Sequence, residues 1–268
     1  MTYKPFGAAA VFLLASLSAA QAQENSQDLA KDLANPVAAL ISVPFQGNYN
    51  GGIGPAEDGD QYYVNFQPVV PITLNEDWNL ISRTIVPIIS QDDIFPGAGS
   101  QFGLGNVTQS LFFSPTKPVN GFVWGVGPVA YVPTNTNDLL GPDQWGLGPT
   151  AVALWQGNGW TLGMLANHIW SVGPNNGNPD ISSTFLQPFV SYTTKDAWTF
   201  SLNTESTYNW EAEEWSVPVN AVVSKLVQVG KQPVQFFAGA RYWVDSPEDV
   251  GPTGWGARAG FTLLFPKN

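Results

Sequence analysis

Four charged side chains fall well inside segments that otherwise read as β-strands: Arg83, Glu205, Arg241 and Arg258. Residues two apart on a strand point the same way. Each of the four therefore shares a face with polar neighbours such as Asn79, Asn203, Gln235 or Thr262. Two roles suit such a set. Charges lining a narrow passage select among permeant ions. The same charges can instead pair with one another and fill the interior of the fold. Arg241 and Arg258 fall on successive strands, at similar depth if the chain turns near Glu248, and would make a positive spot in one wall. Five aromatics, Tyr63, Phe185, Phe189, Phe237 and Trp243, read onto the same inner side. They would line a path for apolar or aromatic solutes, or pack the interior. These nine residues are the expected pore-lining set.

Other chemistry finds less support. His168 is the only histidine, and the nearest serine is Ser171. Three residues apart on a strand means opposite faces. A lipid-acting enzyme with a His–Ser pair would use a His-x-Ser spacing, and the chain reads His168-Ile169-Trp170-Ser171. His168 instead shares a face with Trp160, Leu162, Met164 and Trp170, as an interfacial residue would. No catalytic residue is expected. The cluster Glu57-Asp58-Gly59-Asp60, with Asp92-Asp93, lacks the spaced oxygen ligands of a calcium loop and reads as a solvated rim. With no cysteine there is neither a disulfide nor a thiolate metal site. No metal and no cofactor is expected. The formal charge of −11 argues against a nucleic-acid partner, which needs a basic surface.

Strands must position these groups. In the stretch Trp198 to Trp210 the even positions (Trp198, Phe200, Leu202, Thr204, Ser206, Tyr208, Trp210) are largely apolar with aromatics at both ends, and the odd positions are polar. Strands of soluble proteins average about 5–6 residues. An apolar-out, polar-in strand of about 9–11 residues with aromatic rims is what a membrane-crossing barrel requires. Twelve candidates of this kind follow from Ala39 onward: 39–49, 61–72, 78–89, 103–113, 121–132, 144–156, 159–171, 182–193, 197–210, 214–227, 232–245 and 253–265. Connectors after odd-numbered strands are mostly long and acidic, and those after even-numbered strands are mostly short. Barrels of this type show that asymmetry between their two ends, and an even strand count. Prolines 44, 68, 87, 128, 149, 188 and 218 fall inside the strands. Each removes a ladder donor, so bulges are expected at some of them.

The chain opens with Lys4, an apolar stretch from Phe6 to Ala20 and the small-x-small site Ala20-Gln21-Ala22. Residues 1–22 read as a cleaved signal peptide. Residues 23–38 read as a short periplasmic segment with helical spacing at Leu29, Leu33 and Val37; whether it plugs the barrel stays open. No later apolar run reaches the roughly 18 residues of a membrane helix. Yet 44% of residues are hydrophobic and only 12% charged, about half the usual charge. The fold expected for residues 39–268 is all-β: a transmembrane antiparallel up-and-down barrel of about twelve strands.

The block Asn35-Pro36-Val37-Ala38-Ala39-Leu40-Ile41-Ser42-Val43-Pro44-Phe45-Gln46, with Asn48, resembles a broad bacterial family of outer-membrane transporters of the "MetA-pathway of phenol degradation" type. The likeness continues through Phe66-Gln67-Pro68-Val69-Val70-Pro71, Trp78-Asn79-Leu80-Ile81-Ser82-Arg83 and Gly125-Val126-Gly127-Pro128, and into the terminal strand ending Leu264-Phe265. It departs at the end, where Pro266-Lys267-Asn268 follows the aromatic residue on which such barrels often finish. The resemblance implies an outer-membrane barrel in a Gram-negative cell, in contact with outer-membrane lipid and with the barrel-assembly machinery during biogenesis. It also suggests passive uptake of small, hydrophobic or aromatic solutes. A closed structural or surface-binding barrel is the alternative, and a lipid-acting enzyme is disfavoured.

Overall fold

The computed structural model describes residues 26–173 and 177–266. The expected leader, residues 1–22, and the last two residues lie outside these. Fifteen strands follow one another: β1 (Ile41–Ile53), β2 (Gly59–Phe66), β3 (Val69–Thr73), β4 (Trp78–Asp92), β5 (Ser100–Leu104), β6 (Val107–Pro115), β7 (Phe122–Val132), β8 (Gly146–Gly157), β9 (Trp160–Ser171), β10 (Ser182–Thr193), β11 (Trp198–Thr204), β12 (Ser206–Asn209), β13 (Glu214–Val229), β14 (Gln232–Asp245) and β15 (Trp255–Phe265). Three pairs, β2–β3, β5–β6 and β11–β12, are one stave each with a short break, so the staves number twelve. Neighbours pair antiparallel throughout. β1 closes the barrel onto β15, from Ile41 opposite Phe265 to Tyr49 opposite Ala257. Closure leaves no free edge, which a lipid environment requires of a sheet.

Alternation decides which side chains face out. The outer face carries Val64, Val70, Leu147, Leu162, Met164, Phe200, Leu202, Val223 and Phe236, all exposed. Aromatics ring both ends of this band. Trp78, Phe122, Trp155, Trp160 and Trp198 stand at the short-turn end; Tyr62, Phe102, Trp170, Trp210, Tyr242 and Trp255 stand at the long-loop end. An apolar band between two aromatic girdles matches a bilayer's core and interfaces. The inner face is polar and buried, with Asn48, Asn50, Gln91, Thr150, Asn220 and Thr262 among its residues.

The turns follow local chemistry. Asn158-Gly159 and Asn120-Gly121 each put two successive residues at positive φ, 51° and 83° in the first and 52° and 80° in the second. Asn-Gly is the pair that adopts this geometry at least cost, and its twist suits a hairpin.

The run expected to be continuous from Trp198 to Trp210 is interrupted at Glu205. The register is the same on both sides of the break: Thr204 faces Val219 and Thr207 faces Ser216. The interruption comes from Pro218, which stands opposite. The Glu205 amide donates to the Pro218 carbonyl at 3.3 Å, but proline has no N–H to return. Pro218 itself and Pro87 show how the ladders accommodate proline. Beside Pro218, Val217 faces Asp245 while Pro218 faces Trp243, so Val244 bulges. Opposite Pro87, the register slips by one residue across Gly105-Asn106, and the Gly105 amide donates to the Pro87 carbonyl at 3.0 Å. Asn106 then anchors the 133–145 loop: its Oδ1 accepts from the amides of Thr134 and Asn135 at 3.0 and 2.9 Å.

Residues 26–33 form a helix, and the segment through Leu40 enters the barrel at the short-turn end. Ala30, Ala38 and Leu40 pack with Ala197, Leu226 and Leu264. Val37, 4% exposed, inserts among Ile81, Phe112, Val123, Val152, Leu154 and Leu165, which come from five different strands. Gln156 Nε2 donates to the Lys31 carbonyl at 2.9 Å. The inner face is thus polar along most of its length and apolar where it meets this segment.

Candidate functional site

Glu205 stands at the centre of the inner wall and holds two arginines. Arg258 grips it with both prongs: Nη1 donates to Oε1 at 2.9 Å and Nη2 to Oε2 at 2.6 Å. Arg241 Nη2 donates to Oε2 at 2.9 Å. Arg241 and Arg258 are almost fully buried, at 1% and 5% exposure. Both also donate to neutral partners. Arg241 donates from Nε to Asn220 at 2.8 Å and from Nη1 to Tyr63 at 2.6 Å and Asn50 at 3.3 Å. Arg258 Nε donates to Asn48 at 2.8 Å. Trp243 Nε1 donates to the same Asn50 oxygen at 3.2 Å, and its ring lies 5.7 Å from the Arg241 guanidinium carbon.

The register explains why the arginines converge. Arg241 faces Gly256, and Arg258 faces Gly239, so the two are diagonal neighbours across β14 and β15. The glycines leave the space that the long side chains cross. The arginines do not form the isolated positive spot that their spacing suggested. They bracket a carboxylate supplied from β11–β12, as an internal ion-pair network.

Arg83 stands apart. It lies on the inner face of β4, and Nη2 donates to Gln67 Oε1 at 3.2 Å. It borders two adjoining cavities. One, of about 280 Å³, lies in mid-barrel and is lined by Asn65, Tyr131, Phe185, Gln187 and Glu205. The other, of about 250 Å³, lies against the N-terminal segment and is lined by Leu33, Pro36, Phe189, Ser191 and Asn203. Gln67, Arg83 and Gln187 line both. A third cavity, of about 490 Å³, opens among the long loops and carries Asp180 and Glu214. It shares Tyr131, Ile169, Ser183 and Thr207 with the mid-barrel cavity.

Of the nine residues singled out above, the fold brings Tyr63, Glu205, Arg241, Trp243 and Arg258 into one network. Arg83 faces the same cavity as Glu205. Phe185 and Phe189 pack against the apolar cluster around Val37. Phe237 sits beside Gly260, where an added Cβ would lie 2.7 Å from its ring, and stays outside the network. The network also recruits Asn48, Asn50 and Asn220, which sequence reasoning did not single out. A signal was present: Gln46, Asn48 and Asn50 repeat every second residue on β1, the mark of an inner polar face.

His168 lies on the outer face within the long-loop girdle. Its ring centroid is 4.1 Å from Trp170 and 6.4 Å from Trp210. Nδ1 pairs with Thr184 Oγ1 at 2.7 Å, and Trp210 Nε1 donates to that same oxygen at 2.8 Å. Among the described residues no three His, Asp or Glu side chains converge as metal ligands.

Among solved structures the chain is similar to the COG4313 outer membrane channel from Pseudomonas putida F1. That match has a TM-score of 0.65 and 14% identity over 84% of this chain and 94% of that one. It is also similar to the NanC porin, with a TM-score of 0.52 and 10% identity over 84% and 100%. Identities this low speak to the fold alone. Outer membrane phospholipase A from Escherichia coli aligns at a TM-score of 0.49 and 10% identity over 84% and 96%, too slight a likeness to bear on activity. No curated protein matches the chain. The model of one family matches residues 45–268, nearly the whole barrel. The chain belongs to the family described as "Putative MetA-pathway of phenol degradation".

Proposed function

We propose that this protein is a channel of the Gram-negative outer membrane that passes small solutes passively through its barrel. One observation carries the reading: three cavities adjoin one another inside the barrel, from the loop end to the N-terminal segment. A barrel packed solid by its side chains would have no such series. The walls combine Asn, Gln, Ser and Thr with Tyr131, Phe185 and Phe189, a lining suited to small solutes that have both an apolar face and a polar group. The nine residues named at the outset are proposed as its inner wall, with Arg83, Glu205, Phe185 and Phe189 bordering the cavities themselves. Glu205 and its arginines brace one wall, and the N-terminal segment narrows the short-turn mouth. The likeness to proteins named as a channel and a porin supports the same reading.

Insertion of Val37 and Ala30 into that mouth favours a second reading, a barrel closed at rest. Planar-bilayer recording on the refolded protein separates the two. The channel reading expects steady unitary current steps. A demonstrably folded, inserted protein that carries no current would overturn it and leave the closed barrel.

A further inference from the structure

We infer that Arg83 is a binding point, midway along this path, for the carboxylate of a small organic acid with a planar apolar body. The inference rests on the channel reading and names the class of solute that it would carry.

The three inner arginines differ in what they have left to give. A guanidinium has five N–H donors and no means of losing its charge at ordinary pH. Arg241 makes four hydrogen bonds and Arg258 three, and both hold Glu205. Arg83 makes one side-chain hydrogen bond among the described residues, to the neutral amide of Gln67. Glu205 faces the same cavity, but both of its oxygens are already taken. Arg83 is thus a cation inside the barrel with unused donors: it feels the charge of Glu205, but among the described residues no carboxylate is hydrogen-bonded to it. A cation so placed is unfavourable until a counterion arrives.

The surroundings narrow the class of counterion. Arg83 borders both inner cavities, and Phe185 and Phe189 line one cavity each from the same face of β10. A carboxylate presents two oxygens that match the guanidinium fork, and a ring attached to it would lie against either phenylalanine. A dianion such as phosphate would call for a second free cation, and Arg241 and Arg258 are spent on Glu205. Asp180 and Glu214 line the loop-end cavity at its solvent-facing mouth, where salt screens charge beyond about 8 Å at physiological strength. Arg83 lies behind them, inside the barrel, where screening is weaker.

Benzoate is the probe, with uncharged benzyl alcohol as its shape-matched control and R83Q as the variant. Gln can still meet Gln67, and folding is verified by compact migration on unheated gels. Equilibrium dialysis of the detergent-solubilised full chain, which needs no current, is run beside bilayer recording. The inference expects benzoate to bind the wild type in preference to benzyl alcohol, and to bind R83Q about tenfold or more weakly, the loss of one charge-assisted pair. R83K, which keeps the charge without the fork, should fall between. In recordings, benzoate should interrupt the wild-type current and leave the R83Q current unblocked. Equal binding by wild type and R83Q, or benzyl alcohol binding as well as benzoate, overturns the inference whether or not current flows. Binding that depends on Arg83 in a protein without conductance supports the site and overturns the channel reading instead.

Discussion

Glu205 and Arg258 meet as a two-pronged pair: each carboxylate oxygen accepts from its own guanidinium nitrogen, at 2.9 and 2.6 Å. Arg241 adds a third contact at 2.9 Å. One carboxylate therefore holds two buried cations, and the first prediction concerns its removal. Glu205→Gln keeps the size of the side chain and removes the charge. Breaking a buried pair from one side costs about 3–5 kcal/mol, because the partners stay buried without a counterion. Urea titration of tryptophan fluorescence in detergent should show a loss of that order. In bilayers the reversal potential in a salt gradient should move toward anion selectivity. A variant as stable as wild type would mean that the network contributes little to folding.

The N-terminal segment offers a second test. Deleting residues 26–38 removes Val37 and Ala30 from the short-turn mouth and strips one side of the innermost cavity. Conductance should rise several-fold while the deleted protein still migrates as a folded barrel. Unchanged conductance would place the narrowest point elsewhere.

Docking of that segment should also respond to pH through Asp32. Burial holds the Asp32 carboxyl above the ordinary carboxylate value of 3.8; the nearby Asp28 adds to the shift, and Lys31 opposes it. A raised value in the docked state means that the neutral acid is the better-tolerated form. Docking is then weakest above the raised value, strengthens as pH falls through it, and levels off below the ordinary value. Unitary conductance recorded across the acid range should fall with pH in the wild type. Asp32→Asn should flatten that dependence.

The outer face can be tested at Leu202, which is 50% exposed in the middle of its stave. Leu202→Arg would place a cation in the hydrocarbon band at a cost of roughly 2–4 kcal/mol. Refolding yield into lipid vesicles and urea stability should both drop. Tolerance of arginine there would contradict the assignment of this face to lipid.

His168→Ala separates an interfacial histidine from a catalytic one. It removes the hydrogen bond to Thr184 and the contact with Trp170, for a stability loss of about 1 kcal/mol. Lipid hydrolysis should be absent in both proteins. Hydrolysis by the wild type that the variant lacks would reopen an enzymatic reading.

The barrel was legible from residue spacing alone. A period of two in apolar and polar residues is a local property of an extended chain, so the inner and outer faces of each stave, the aromatic rims and the inner placement of Arg83, Glu205, Arg241 and Arg258 could all be read from spacing. Pro218 already marked a missing donor; only the antiparallel partner decided that Glu205 would stand opposite it and break the stave. Pairing across the sheet likewise decided which charges meet. Glu205 lies 36 residues from Arg241 and 53 from Arg258, and nothing local brings them together. The helical spacing of Leu29, Leu33 and Val37 predicted an amphipathic segment, but its apolar face acquires a partner only where the closed barrel presents an apolar mouth. Arg83 belongs to the same class of facts. Its charge and inner face were legible, whereas the lack of a hydrogen-bonded carboxylate among the described residues depends on where the acidic side chains come to rest.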